Sequence, residues 1–336
     1  MPPSGWEMPD ACNIAVAGAT GAVGTIMLKL LHERGFPAAS VRALASSRSA
    51  GQTVPFADGE LAVEELDAGS FADIDIALFS AGAGVSRNFA PAAIDAGAVV
   101  VDNSSAYRME PSVPLVVPEV NPDDVKWHEG IIANPNCSTI ELVVALKPIY
   151  DAVGIERIVV TTLQSVSGTG NRAIEELFNQ SVAVLESGEV GVGVYPHQIA
   201  FNAIPQIEQF LDNGYTNEEV KMTNETRKIL GDPGIGVTAT CVRVPVFNGH
   251  GEAVNIQTIR HISVDEVRRL LLSAPGVILQ DDPGAHEYPM PLTSEGKDDV
   301  FVGRIREDDS AENSLNFWVV SDNLRKGAAT NAIQIA

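Results

Sequence analysis

The chain has 336 residues, 45% of them apolar, and a formal net charge of −22. That length predicts two domains, since single cores seldom grow so large. No apolar run approaches the roughly 20 residues that span a bilayer, and so acidic a surface would repel nucleic acid. A small anionic substrate would therefore need a local pocket of positive groups.

Met1 to Asp10 has neither the positive nor the apolar region of a secretory signal and reads as a loose extension. Asn13 to Ala17 is predicted as a strand and Val23 to Glu33 as a helix. Between them stand Gly18, Thr20, Gly21, Ala22, Val23 and Gly24. Glycines at this point suit a tight turn, close approach of backbone to a pyrophosphate, and helix–strand packing; a tight βα turn without a ligand is the plainer reading. Val41 to Ala45 is the second predicted strand. Where an NAD site would place an acid on the ribose, the chain has Ser46, Ser47, Arg48 and Ser49, and no acid before Asp58. Hydroxyls and a guanidinium suit a 2′-phosphate, which favours NADP. Ile74 to Phe79 is a third strand, and the small residues Ser80, Ala81 and Gly82 after it form either a second cofactor turn or a loop. A helix near Ala90 to Ala96 and a strand at Val99 to Val101 complete a βαβ rhythm, the mark of a parallel, doubly wound sheet.

Ile131 to Ala133 reads as a strand and Ser138 to Tyr150 as a helix, so Cys137 falls at or just before a helix N-terminus. Free N–H groups and the helix dipole there favour a thiolate, poised to attack a carbonyl and form a thioester. A buried structural cysteine is the alternative. Cys12 and Cys241 lie in strand-like runs and are expected to be inert. Three scattered cysteines give no disulfide framework and no zinc pattern, so no metal is expected and a reducing cytoplasm is.

Beyond Tyr150, strands are predicted at Arg157 to Gln164, Thr238 to Phe247, Ala253 to His261, Val300 to Arg306 and Leu315 to Val320. Helices are predicted at Asn171 to Ser187, Asn217 to Leu230 and Val264 to Ser273, with Thr216 and Glu219 forming a capping box before the second. This pattern suggests an α+β domain with a mostly antiparallel sheet. Asp281 to Asp299 reads as an extended loop or arm, and Leu324 to Ala336 as helical. Cysteine chemistry with a hydride carrier needs an imidazole. Of six histidines, His250 sits in a strand-to-turn segment that begins at Arg243, with glycine on both sides giving its ring room.

The chain resembles bacterial aspartate-semialdehyde dehydrogenases from about Asn13 to its end. The resemblance is carried by the Gly18 turn, Ser46 to Gly51, Asp102-Asn-Ser-Ser-Ala-Tyr-Arg108, Val117-Pro-Glu-Val-Asn-Pro122 and Asn134-Pro-Asn-Cys-Ser138. It continues in Gln164-Ser-Val-Ser-Gly-Thr-Gly170, Glu218-Glu-Val-Lys221, Arg243 to His250 and Ser321-Asp-Asn-Leu-Arg-Lys-Gly-Ala-Ala329.

It implies an α/β chain with a Rossmann-type NADP-binding domain over 11–136, a C-terminal helix 322–336 packing back on it, and an α+β catalytic and dimerisation domain over 137–321 with a mixed, mostly antiparallel sheet. The implied reaction is NADPH-dependent reduction of L-4-aspartyl phosphate to L-aspartate 4-semialdehyde, in the biosynthesis of lysine, threonine, methionine and isoleucine. Cys137 would be the nucleophile, His250 the acid/base, and Gln164 would orient substrate or water. Arg243 would pair with the substrate carboxylate, Glu218 with its ammonium, and Arg108 and Lys221 with its phosphate, with Asn136 beside the cysteine. Asn103, Ser167 and Gly168 would join the cofactor site, with Asn323 on the nicotinamide carboxamide. A homodimer through the second domain's sheet, or a tetramer of two such dimers, is implied.

The residues themselves also admit plainer roles. Glu218 and Lys221 could be a surface ion pair, Arg108 a carbonyl cap, Gln164 a turn tie and Asn323 a helix N-cap. Two rival functions are an N-acetyl-γ-glutamyl-phosphate reductase and a non-catalytic dinucleotide-binding protein.

Overall fold

The computed structural model describes residues 11–336; the expected loose extension, Met1 to Asp10, lies outside them. The chain forms two compact units, one from the described residues up to Asn136 together with Ala328–Ala336, the other Cys137–Gly327.

The first unit holds β1 (Cys12–Ala17), α1 (Ala22–Glu33), β2 (Ala38–Ala45), β3 (Thr53–Phe56), β4 (Gly59–Glu65), β5 (Ile76–Phe79), α2 (Ala83–Asp95), β6 (Val99–Asp102) and β7 (Ile131–Ala133). These strands make a seven-stranded sheet in the order β3-β4-β2-β1-β5-β6-β7, parallel except for the β3–β4 pair. Strands β1 and β5 are almost wholly buried apolar runs, as a sheet covered on both faces requires.

The β3–β4 hairpin corrects the sequence reading, which had no element between Arg48 and Ile74. It is short, and Pro55 together with Asp58, Glu60, Glu64 and Glu65 masks the alternation. Proline is tolerated because β3 is an edge strand. Helix α2 also begins seven residues earlier than predicted. Gly84 and Pro91 hid it, and Gly82, at φ 87°, sets its start.

The second unit contains α3 (Cys137–Val153), β8 (Ile155–Gln164), α4 (Asn171–Leu185), α5 (Asn217–Leu230), β9 (Gly236–Arg243), β10 (His250–Thr258), α6 (Val264–Leu272), β11 (Val277–Leu279), α7 (Pro291–Ser294), β12 (Val300–Glu307) and β13 (Ser314–Ser321). Its six strands run β11-β12-β13-β10-β8-β9. Three of the five pairings are antiparallel, so the sheet is mixed and mostly antiparallel. Helix α3 packs against β8, β10, β12, β13, α5 and α6. It is apolar and buried around most of its circumference, as a central helix must be.

Two strand boundaries move with consequence. The strand predicted to run to Phe247 ends at Arg243, and the next begins at His250 instead of Ala253. His250 is thus the first residue of a central strand and fully buried, not a loop residue with open room. The Asp281 to Asp299 segment is less extended than expected, since it holds a 3₁₀ turn and α7. The chain end is helical as predicted, but opens with a π turn at Arg325–Ala329 before α8 (Thr330–Ile335). Helix α8 packs on α1 and β6 of the first unit.

Candidate active site

In the first unit, the Gly18, Ser46, Ser80 and Asn103 segments all follow the carboxyl ends of parallel strands, β1, β2, β5 and β6, where such sheets bind ligands. The glycines are sterically required. A Cβ on Gly18 would lie 2.4 Å from the Ser80 carbonyl oxygen, and one on Gly24 would lie 2.1 Å from that of Gly18. Gly21 caps α1 with no side-chain bond, and no acid stands in the first turn, so the helix end retains N–H groups for an anion. Thr20, Ala22 and Val23 line this turn. Ser46, Ser47 and Arg48 are exposed at a turn that Ser49 closes onto Ser46 at 2.8 Å. The cradle suits a dinucleotide pyrophosphate, with a guanidinium available to a further phosphate.

Asn103 accepts from Asn134 Nδ2 at 2.6 Å on Oδ1. The buried Arg108 donates to the carbonyls of Asn134 (2.9 Å) and Asn103 (3.0 Å). The carbonyl-capping role is therefore real. It holds the loop that leads through the buried Asn136 to Cys137.

In the second unit, strand ends bring the catalytic candidates together. Gln164 and Arg243 are register partners at the ends of β8 and β9. His250 opens β10 beside β8, opposite Ser321 at the end of β13. Cys137 is the first residue of α3, and its Sγ lies 3.3 Å from His250 Nε2. The free N–H groups of that helix start favour negative charge on the sulfur.

His250 Nδ1 accepts the backbone N–H of Ser165 at 3.1 Å, with the Ser165 hydroxyl also at 3.1 Å. A backbone N–H can only donate, so the proton of the neutral ring sits on Nε2, facing the sulfur. Burial, reinforced by the nearby Arg243 charge, depresses the imidazolium to about 3. The ring is thus a neutral N–H donor. In contrast, burial raises the Cys241 thiol far above its ordinary range, and burial also raises that of Cys12. Both lie buried in the core, where a thiol is poorly ionised.

Glu218, buried on α5, accepts from Gln164 Nε2 at 3.1 Å and pairs with Lys221 at 3.3 Å. Lys221 also pairs with Glu208, a residue the motifs did not flag. The capping box forms as predicted: Thr216 N donates to Glu219 Oε2 at 2.7 Å, and Glu219 Oε1 takes Cys241 N at 2.9 Å. It fixes the turn of α5 that presents Glu218. Arg243 donates from Nη1 to the Ser165 carbonyl at 2.5 Å and lies 5.9 Å from the Tyr195 ring centroid.

Asn323 is buried and is not an N-cap. Its Oδ1 gathers the hydroxyls of Ser165 (3.0 Å) and Ser167 (3.2 Å) and the N–H of Gly249 (2.9 Å). Asp322 caps the following turn through Leu324 N and Arg325 N.

Sequence reasoning missed two supporting residues and one supporting role. Ser165 fixes the tautomer of His250. A Cβ on Gly327 would meet Cys137 Cβ at 2.9 Å, so that position must stay bare for α3 to begin where it does. Gly168, expected only at the cofactor, also makes room for Arg243 and His250. A Cβ there would lie 3.4 Å from both Arg243 Nη1 and the His250 ring. All three residues fall within the motifs that carry the family resemblance; a small residue within a polar motif was the available signal.

The chain matches two family models. Residues 13–128 match "Semialdehyde dehydrogenase, NAD binding domain", and residues 146–326 match "Semialdehyde dehydrogenase, dimerisation domain". It is 57% identical to the aspartate-semialdehyde dehydrogenase of Aquifex aeolicus, over 96% of each chain. It is 53% identical to that of Bacillus subtilis, over 98% of this chain and 97% of the other. Among solved structures, aspartate semialdehyde dehydrogenase II of Vibrio cholerae complexed with ASA superposes with a TM-score of 0.95 at 50% identity, covering 97% of each chain. The Candida albicans enzyme with NADP gives 0.74 at 28% identity, again over 97% of each. Together with the Cys137–His250 pair and the glycine cradle, these likenesses show that the chain belongs to the aspartate-semialdehyde dehydrogenase family.

Proposed function

We infer that the protein reduces L-4-aspartyl phosphate to L-aspartate 4-semialdehyde and phosphate, with NADPH as reductant, in amino-acid biosynthesis. The observation that carries this reading is the 3.3 Å approach of Cys137 Sγ to a buried His250 ringed by Gln164, Arg243 and Glu218. Cys137 attacks the acyl phosphate and phosphate leaves, giving a thioester on Sγ. Bound NADPH supplies the hydride that reduces this thioester. The Nε2–H of His250 stabilises the carbonyl oxyanion of the tetrahedral intermediates held on Sγ, a role its neutral state suits better than that of a base. Collapse of the reduced intermediate breaks the C–S bond, releasing the semialdehyde and restoring the thiolate. Arg243 is proposed to bind the α-carboxylate and Glu218 the ammonium, by charge-assisted hydrogen bonds. Gln164, already bonded to Glu218, orients the carbonyl, with Asn136 beside the nucleophile. Arg108 and Lys221 are proposed for the phosphate, which would draw Lys221 from Glu208.

The assay is the reverse reaction with L-aspartate 4-semialdehyde, phosphate and NADP⁺. The chief rival substrate, N-acetyl-γ-glutamyl phosphate, carries no ammonium for Glu218, and preference for it would overturn the assignment.

For the cofactor, the proposed residues are Gly18 to Gly24, Ser46 to Ser49, Ser80 to Gly82, Asn103, Ser167, Gly168 and Asn323. Arg48→Ala is expected to reduce the NADPH-over-NADH preference in kcat/KM about tenfold or more, the scale of one charge-assisted phosphate contact. Equal use of both cofactors by the unaltered protein would refute this assignment.

Assembly is proposed through the second unit's sheet. Helices α3, α5 and α6 cover one face, while Val159, Leu163, Val242, Ala253 and Trp318 remain at least partly exposed on the other. Such an apolar face calls for a partner, and a second copy supplies it. Sedimentation at twice the chain mass supports the dimer, four times supports a tetramer of dimers, and the chain mass alone refutes both. The free cysteines support a cytoplasmic location.

A further inference from the structure

Behind the Cys137–His250 pair lies a second pair, of carboxyls. Glu141 and Glu252 are each 0% exposed, and their carboxyl groups lie within hydrogen-bonding reach of each other. Two carboxylates only accept, so that bond exists only while one of the two keeps its proton. Two periodicities place them there. Glu141 stands four residues beyond Cys137 on α3, about 6 Å along the same helix face. Glu252 stands two residues beyond His250 on β10, about 7 Å along the same strand face. Because α3 packs on β10, the nucleophile-and-imidazole layer is followed by a carboxyl-and-carboxyl layer.

The pair is tied to the reacting groups on both sides. Glu141 Oε2 accepts from the Ser321 hydroxyl at 2.7 Å, and Ser321 is the register partner of His250. Ser138, the residue after Cys137, is buried close to Glu252. Among the described residues, no cation or backbone N–H is hydrogen-bonded to either Glu252 oxygen. The other ionisable groups facing the pair are Glu218 of α5, Asp322 beyond β13 and Cys241 of β9, with Cys137 and His250 one layer outward. The buried side chains of β8, β12 and α6 are uncharged. No counter-charge comes from any of these. Two carboxylates cannot stay ionised in contact away from water, so a proton is retained between them.

We propose that Glu141 and Glu252 are positioning residues that, by sharing a proton, clamp the start of α3 to β10 and β13 and so hold Cys137 against His250. Loss of that proton sets two carboxylates repelling each other across the α3–β10 seam, directly beneath the nucleophile. The proposal rests on the function assigned to Cys137 above.

Burial raises the Glu141 carboxyl to about 8, against the opposing pull of the Ser321 hydrogen bonds. Burial and the Glu141 charge raise Glu252 as well. An acid that keeps its proton to about 8 when folded, against 4.5 ordinarily, makes stability fall as pH rises through that window. Glu141→Gln keeps the shape and the hydrogen bonds but has no proton to lose. Its Tm should exceed that of the unaltered protein by a margin that grows from about pH 5 to about pH 8, reaching roughly 5 °C or more, and then levels. Its kcat near neutral pH should stay within about threefold, while the alkaline limb of the kcat profile moves up by at least about one pH unit. Glu141→Ala should lose about tenfold or more in kcat at every pH with little change in KM.

A Tm margin that does not vary with pH, or an alkaline limb that Glu141→Gln leaves in place, would overturn the proposal. Should Glu141→Gln fail to fold, Glu252→Gln makes the same comparison from the other side of the pair. Inactivity on the aspartyl substrate at every pH would refute the assigned activity instead, and the Tm comparison would still decide whether the proton is shared.

Discussion

Cys137→Ala is expected to lower kcat by roughly three orders of magnitude or more, with NADPH affinity changed less than about twofold. No other group in the second unit's site can take the acyl group. Cys241 is buried with its thiol held far into the alkaline range, and Ser165 donates its hydroxyl to Asn323. The cradle at Gly18 to Gly24 and Ser46 to Ser49 is built on the first unit's strands and contains no part of Cys137. Turnover and cofactor binding should therefore separate cleanly. Steady-state kinetics with fluorescence titration of NADPH reads both, and undiminished turnover would eliminate the covalent route. Trapping the thioester by mass spectrometry of the unaltered enzyme, with the adduct on the Cys137 peptide, gives the positive counterpart.

His250→Asn is expected to cost about 10²–10³ in kcat, the scale of one lost oxyanion donor, and the cause lies in the ring's protonation. Ser165 N–H fills Nδ1 at 3.1 Å, which leaves Nε2 to carry the proton toward Cys137 Sγ. Burial and then Arg243 hold the imidazolium near 3. The ring should accordingly be neutral, protonated at Nε2, from about pH 5 to about pH 9, and should impose no limb on the activity profile there. Nitrogen NMR of the labelled enzyme reads the tautomer directly. An imidazolium signal from His250 near neutral pH would sink this account and restore an acid/base role for the ring. For stability the sign is opposite to that of the carboxyl pair. A histidine whose charged form is suppressed on folding loses stability as pH falls from 6.5 toward 3.

Much of the molecule was legible from residue order. The βα turn at Gly18, the absence of an acid after β2, the helix start at Cys137 and the capping box at Thr216 are local patterns, and each appears where expected. The β3–β4 hairpin was illegible because its strands sit at a sheet edge, where little burial is needed and no strong alternation develops. His250 was misplaced for a related reason. Glycine on both sides suggests a loop, but Gly251 is small because the Trp318 ring lies 2.4 Å from where its Cβ would be.

Sequence alone determined the groups on offer: a cysteine at a helix N-terminus, glycines at a βα turn, and hydroxyls with a guanidinium in place of an acid after β2. Those depend on neighbours within a turn or two. Only the tertiary structure decided that Gln164, Arg243 and His250 share one end of the sheet, that Ser165 selects the imidazole tautomer, and that Glu141 and Glu252 meet beneath them. Strand register pairs Gln164 with Arg243, 79 positions away, and the packing of α3 on β10 brings Cys137 to His250, 113 positions away, while burial sets their charge states. Neither is encoded in any short stretch of residues.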